Sequence, residues 1–252
     1  MRQFIAALAT GAMLMAAPAP RTPPLTGKVI VVDPGHGGRD SGARAGMLFE
    51  SDIVLGIGKE VAQALRARGA KVLLTRTTER NLLDKSRGGN LQRENLEARV
   101  TLAEHAKADL FLSLHANKYP STPSAHGAQV FLGENPSPER MRLGEHLMAQ
   151  LGPLTDSKRI IDGKLPLYLM RHLTMTAVLI EFGFLSNPKE TDLLVQTDYQ
   201  RKLGEAVARG VVAFYASTPA QPDVRSHKPH PTQRATATLP QTPRRIYPSS
   251  RA

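Results

Sequence analysis

The sequence contains no cysteine, and this absence removes two classes of protein at once. Without thiols there is no disulfide scaffold and no thiolate metal site, so a tightly held metal must rest on His, Asp or Glu. A cysteine-free chain is compatible with an oxidising exterior but does not by itself place the protein there. Aromatic residues are scarce, at 5% of the chain. Basic proteins that grip single-stranded nucleic acid interleave cations with aromatic stacking platforms, and that pattern is missing here. The apolar run from Phe4 to Ala17 falls short of the roughly 20 residues that a helix needs to span a bilayer.

What is present suits one domain with ends outside its core. The chain has 252 residues, 41% of them hydrophobic, enough to bury a core. Its net charge of +11 is unevenly spread. Residues 217–252 hold six Lys or Arg against the single acid Asp223, together with seven prolines and no apolar periodicity. That stretch cannot bury enough surface to offset its ordering entropy and reads as a disordered basic tail. At the other end, Arg2 precedes the apolar run, and Ala17-Pro18-Ala19 has the small-x-small form of a signal-peptidase site. Residues 1–26 therefore read as a signal peptide or retained N-terminal anchor followed by a proline-rich linker, with Pro20 a hindrance to cleavage. An alternative reading of the apolar run is a buried helix of the domain.

Residues 27–216 carry the periodic patterns of a folded domain. Lys28–Asp33, Lys71–Thr75, Asp109–His115, Ala128–Leu132 and Ala177–Phe182 read as strands, several of them apolar throughout, as expected of strands buried on both faces. Ser51–Arg68, Glu94–Lys107, Pro138–Leu151 and Tyr199–Tyr215 read as helices. Alternation of the two predicts an α/β fold, a three-layer sandwich in which helices cover both faces of a largely parallel twisted sheet. Thr77–Arg93 is polar, contains Gly88-Gly89, and reads as an exposed loop.

Three strands run into chemistry-bearing residues: the first into Asp33-Pro-Gly-His36-Gly-Gly, the third into Ser113-Leu-His115-Ala-Asn117, the fifth into Ile180-Glu181-Phe-Gly. In open α/β sheets the carboxyl ends of strands form the ligand rim, so these residues could meet there. Glu50, at the start of the first long helix, is placed to turn back to the same rim. Two histidines and a carboxylate make a catalytic zinc set, and a further unbound carboxylate supplies a general base. Each residue also has an ordinary reading. A His after a strand is commonly a hydrogen-bonded loop residue, and Glu50 reads equally as an acid favoured by the helix dipole. Glu181 is harder to explain away, because a carboxylate inside AVLIEF is costly to bury without a partner. The glycines of PGHGG lack the Lys-Ser/Thr ending of a phosphate loop. His105, His126, His146, His172, His227 and His230 look incidental.

Taken together, VVDPGHGGRDSGA (31–43), Glu50, TRTTER (75–80), Arg99, ADLFLSLHAN (108–117), GAQVF (127–131) and AVLIEFGFLSNPKETDLL (177–194) resemble the zinc-dependent N-acetylmuramoyl-L-alanine amidases of the amidase 3 type. The likeness is strongest to the germination-specific spore-cortex subgroup, which has one catalytic domain and no wall-binding repeats. The resemblance implies one Zn2+ per chain on His36, Glu50 and His115, with Glu181 as the catalytic glutamate. It implies hydrolysis of the amide joining the lactyl group of N-acetylmuramic acid to L-alanine in peptidoglycan, on the outer side of the cytoplasmic membrane or in the forespore intermembrane space. Membrane proximity through the N-terminal segment and an accessory protein are both compatible with it; a nucleic-acid partner is not expected. Departures from the family pattern are Thr176 in place of a proline, Lys118 in place of an alanine, and the basic tail. Two other functions compete: a wall-binding module with a degenerate amidase fold, which an intact set of four site residues opposes, and a basic nucleic-acid-binding protein, which the scarcity of aromatics opposes.

Overall fold

The unbroken β-branched run near the start of the domain becomes β1 (Val29–Pro34), an interior strand of a five-stranded sheet. The computed structural model describes residues 22–217. Residues 1–21 of the signal or anchor segment and linker (1–26) and residues 218–252 of the basic tail (217–252) lie outside the described residues. In chain order the remaining elements are β2 (Arg44–Ala45), β3 (Leu48–Phe49), α1 (Glu50–Arg66), β4 (Lys71–Leu74), α2 (Leu91–His105), β5 (Leu110–Asn117), β6 (Gln129–Phe131), α3 (Pro138–Leu154), α4 (Tyr168–His172), β7 (Thr176–Phe184), α5 (Pro188–Leu194) and α6 (Thr197–Ala216). The strand order is β4-β1-β5-β7-β6, parallel except for β6, which runs antiparallel to β7 at the edge. Helices cover both faces, as the alternating pattern predicts.

The two faces are sorted by the period-2 alternation of each strand. Ile30 and Val32 of β1, Leu110, Leu112 and Leu114 of β5, and Val178, Ile180 and Phe182 of β7 join the larger core with α1, α3 and α6. Leu25 belongs to that core as well, so the packed region begins slightly before the expected boundary at Gly27. The opposite face is smaller: Val31, Phe111 and Ala177 pack with Ala103 of α2 and Leu169 and Met170 of α4. Toward the carboxyl ends this second face turns polar. Val31 is followed on the same side by Asp33, Phe111 by Ser113 and His115, and Ala177 by Leu179 and then Glu181. Strand register aligns these switches, pairing Asp33 with Ser113 and His115 with Glu181.

Several elements were not legible from periodicity. The β2–β3 hairpin is too short to show a pattern, yet it delivers Glu50 directly into the first turn of α1. Helix α2 starts three residues before the expected Glu94, because Asn90 caps it by accepting from the Arg93 N–H at 3.0 Å. The preceding loop is exposed as expected, but Glu94 organises it, accepting from the Arg87 N–H at 2.7 Å and the Gly89 N–H at 2.9 Å. Helix α5 follows an Asn187-Pro188 start, an N-cap with proline in the first turn.

Glu190 of α5 is buried and ties the loop before β6 to the last residue of β7. Its Oε1 accepts from the Gly127 N–H at 2.9 Å and its Oε2 from the Phe184 N–H at 2.7 Å. Replacing it by Ala strands both donors, each costing about 1–3 kcal/mol when left unpaired and buried. Glu190→Ala should therefore lower the denaturant midpoint with an unchanged slope, and an unaltered midpoint would contradict this role.

Candidate metal centre

The loop after β1 is shaped by two buried guanidinium groups. Arg76 Nε donates to the Pro34 carbonyl at 3.0 Å, and its Nη2 donates to the carbonyls of Gly35 at 2.8 Å and Ser51 at 2.7 Å. Arg99 Nη2 donates to the His36 carbonyl at 2.6 Å. Three consecutive carbonyls, 34 to 36, are thus fixed from one side. Arg99 is itself held by Asp33, 0% exposed, at 3.1 Å; Asp33 also accepts from Thr75 Oγ1 at 2.6 Å and Ser113 Oγ at 3.0 Å. Burial above all, and then the neighbouring Arg99 charge, lowers the pKa of Arg76 to about 10, so it stays charged at neutral pH.

The clamp holds His36 in a left-handed conformation, φ 60°, which a residue with a Cβ seldom adopts. Such conformations cost about 1–3 kcal/mol and persist where the surroundings over-determine them. The twist turns the imidazole toward Glu50: His36 Nε2 lies 3.1 Å from Glu50 Oε1. His115, at the end of β5, brings Nδ1 to within 2.9 Å of the same oxygen. The two rings meet edge to face with centroids 4.8 Å apart. Asp40 stands behind His36, with Oδ2 2.9 Å from Nδ1, near enough to favour the charged imidazole although the geometry falls short of a hydrogen bond.

Glu50 does not spend its carboxylate on capping its own helix. Oε2 accepts from the Ala43 N–H at 2.8 Å, and Oε1 from the Ala116 N–H at 3.1 Å while facing both imidazoles. Burial pushes its pKa up, but hydrogen bonds from His115 and His36 outweigh that and hold the carboxyl well below the usual carboxylate range. His36 responds in kind. Burial alone would lower its pKa, yet Glu50 and then Asp40 keep it above the ordinary histidine value. Space for this cluster depends on two glycines. A Cβ on Gly35 would lie 2.5 Å from His115 Nε2, and one on Gly42 would lie 2.5 Å from Glu50 Oε2.

One ligand atom from each of His36, Glu50 and His115 lies within 4.8 Å of the other two, and among the described residues this is the one such group of His, Asp and Glu. Donors about 2.0–2.1 Å from a tetrahedral zinc sit roughly 3.3 Å apart, close to the two separations from Glu50 Oε1, 3.1 Å to His36 and 2.9 Å to His115. The donor set, two imidazoles and one carboxylate, fits a divalent transition metal with an open position. His126 and His172 lie apart from it, bonded to the carbonyls of Ser124 and Tyr168.

Glu181 faces the cluster from β7 as the register partner of His115. Its Oε2 is enclosed and has no hydrogen-bond partner. Burial first, and then the charge on Glu50, pushes its pKa up to about 8. A cleft of about 730 Å³ opens beside His36 and His115 and runs between the 81–85 loop and α2.

The profile of the N-acetylmuramoyl-L-alanine amidase family designated Amidase_3 matches residues 30–213, the greater part of the chain and all four of these side chains. The chain belongs to this family. It is an N-acetylmuramoyl-L-alanine amidase, a hydrolase that cuts the bond between N-acetylmuramic acid and L-alanine. The germination-specific N-acetylmuramoyl-L-alanine amidase of Bacillus subtilis is 34% identical over 204 residues, covering 79% of this chain and 85% of that protein. Among solved structures, the CwlD amidase of Clostridioides difficile, determined in complex with the GerS lipoprotein, superposes with a TM-score of 0.71 at 29% identity, over 76% of this chain and all of that one. The amidase AmiC2 of Nostoc punctiforme gives 0.62 at 32% identity, over 76% of this chain and 99% of its own.

Sequence reasoning named His36, Glu50, His115 and Glu181, and the fold brings all four to one rim. It did not assign roles to Arg76, Arg99, Gly35 or Gly42. The signal for the first two was TRTTER and Arg99, charged residues whose partners are main-chain carbonyls and therefore invisible in side-chain patterns. If the loop geometry serves the cluster, Gly35→Ala should leave the circular dichroism spectrum native while reducing bound metal and amidase turnover together by at least tenfold. Normal metal content in this variant would show that the His115 ring can shift without consequence.

Proposed function

We propose that the amidase holds one Zn2+ on His36, Glu50 and His115 and that Glu181 is its general base. The observation that carries this reading is the contrast between two neighbouring carboxyl groups. Glu50 is stabilised as an anion between two imidazoles, the state a ligand needs, whereas Glu181 has its enclosed Oε2 without a hydrogen-bond partner and its pKa raised, the state a proton carrier needs. When bound, zinc would polarise the lactyl carbonyl and lower the pKa of water at its open position. Glu181 takes the proton of the attacking water as the C–O bond forms. It then delivers that proton to the alanine nitrogen as the C–N bond breaks, leaving a lactyl carboxylate and a free stem peptide. Asp40 stays beside the far nitrogen of His36, while Glu50 serves as the third ligand.

The catalytic domain on this reading spans residues 27–216 with Leu25 attached. The likeness to the germination-specific enzyme of Bacillus subtilis supports a role in spore-cortex maturation, on the wall side of the membrane. The complex of the similar Clostridioides difficile enzyme with a lipoprotein supports an accessory protein at this one too. No helix among the described residues is long and apolar enough to cross a membrane.

Elemental analysis of the purified protein should give one zinc per chain, falling to a small fraction in His36→Ala and His115→Ala with loss of turnover. Full occupancy in both variants would remove them as ligands.

Glu181→Gln should keep its zinc yet lose roughly 10²-fold or more in kcat, the scale of general acid–base catalysis. Because the ionised carboxylate is the active form, kcat/KM should rise with pH and level off by about pH 8; the positive charge of bound metal pulls the midpoint below the value that burial sets. A flat profile from pH 5 to 8, or a zinc-loaded Glu181→Gln enzyme of normal turnover, would move the base elsewhere.

A further inference from the structure

Helix α2 buries an unusual stripe. Of its 15 residues, the buried ones are Asn95, Arg99 and Ala103, stacked at a spacing of four, and the first two are polar. A polar side chain out of water is costly unless its hydrogen bonds are made, so the partners of these two groups show what the helix holds. Arg99 Nη2 donates to the His36 carbonyl and, at 3.1 Å, to Asn81 Oδ1. Asn95 forms a reciprocal pair with the main chain of Leu83. Its Oδ1 accepts from the Leu83 N–H at 2.8 Å, and its Nδ2 donates to the Leu83 carbonyl at 3.1 Å. The same Nδ2 donates to the Leu91 carbonyl at 3.0 Å.

Asn81 completes the join. Its Nδ2 donates to the Gly37 carbonyl at 3.2 Å, one residue beyond the carbonyl that Arg99 takes. The Gly38 N–H donates to the Glu79 carbonyl at 2.7 Å, and a Cβ on Gly38 would stand 3.3 Å from the Asn81 main-chain nitrogen. Residues 79–83 are thus sewn along one edge to the loop that carries His36 and along the other to α2. Asn81, Leu83 and Asn95 all line the cleft beside the metal cluster. We infer that Asn95 and Asn81 are positioning residues for the amidase reaction: they lock the cleft wall at 79–83 to the His36 loop, so that the cleft stands preformed and this wall is no closing lid. The inference rests on the reaction taking place at the adjoining cluster, and it holds for whichever part of the substrate lies along the wall. A wall ordered in advance spares the substrate the entropy of ordering it, which shows in binding more than in the chemical step. Asn95 acts away from the ligands, since Arg99 keeps the His36 carbonyl whether or not Leu83 is held.

Asn95→Leu keeps the side-chain volume and suits a helix while removing the bonds to Leu83 and Leu91. In the full-length, zinc-loaded protein acting on a soluble muropeptide, KM should rise about fivefold or more, with kcat within about twofold of wild type. Zinc content should be unchanged, and amide hydrogen exchange should quicken across residues 81–85 without spreading into β5. A residue that merely held the fold together would lower kcat and zinc content with the active fraction and leave KM alone, and that pattern would overturn the inference. So would an unchanged KM beside a freed loop, or an unaltered exchange rate in the variant. Should Asn95→Leu fold poorly, the wild type decides: its Leu83 amide should exchange as slowly as the amides of α2, and exchange at the rate of an open loop would refute the latch. Failure of the zinc or Glu181 assignments would show in metal content and in the kcat of Glu181→Gln, and would leave these loop measurements untouched.

Discussion

The site depends on a cationic clamp on the backbone. Arg76 and Arg99 together take the carbonyls of residues 34, 35 and 36, and Arg99 is tied to the carboxyl end of β1 through Asp33. A charge-assisted hydrogen bond inside protein is stronger than its neutral counterpart, and a guanidinium presents its donors in a fixed fork. Two such forks can therefore hold a short loop in a conformation that its own sequence would leave. The consequence is the left-handed His36, whose imidazole faces Glu50 instead of following the strand direction. Removing either arginine would leave buried carbonyls without donors and would free the strained residue to relax, so the loss would fall on the cluster before it fell on the fold.

The sheet contributes a second, simpler constraint. Parallel strands that alternate faces put the polar switch of β1, β5 and β7 on the same side, and register sets His115 beside Glu181. One carboxyl group on this rim is surrounded by imidazoles and main-chain N–H groups, while the other has one oxygen enclosed without a partner. Their pKa values are driven in opposite directions by surroundings that differ over a few ångströms. The same rim could not assign these roles if the carboxylates exchanged places, since a ligand must be an anion and a base must be able to take up a proton.

The sheet, the four long helices and the placing of His36, His115 and Glu181 at one rim were legible because each rests on a pattern that sequence displays: β-branched runs, helical periodicity, and strand ends carrying His or Glu. Glu50 taken alone read equally as a helix-dipole acid, and its role came from the family resemblance. What was hidden depends on main-chain partners and on empty space. Arg76 and Arg99 act on carbonyls, Glu190 on two N–H groups, and Gly35 and Gly42 by leaving room for a ring and a carboxylate. Glu94 read as the start of a helix, and in the structure it organises the loop before that helix while Asn90 does the capping. The hairpin of β2 and β3 was illegible because two-residue strands have no period, although it is what carries Glu50 to the rim.

The most direct test of the account is mass spectrometry of peptidoglycan digested by the purified protein, with and without a strong chelator. The account predicts free stem peptides bearing an unblocked L-alanine amine and glycan bearing lactyl carboxylates, both lost with chelator and restored by added zinc. Release that persists in chelator, or products cut at a glycosidic or peptide–peptide bond, would contradict a metal-assisted cleavage at the His36, Glu50 and His115 cluster.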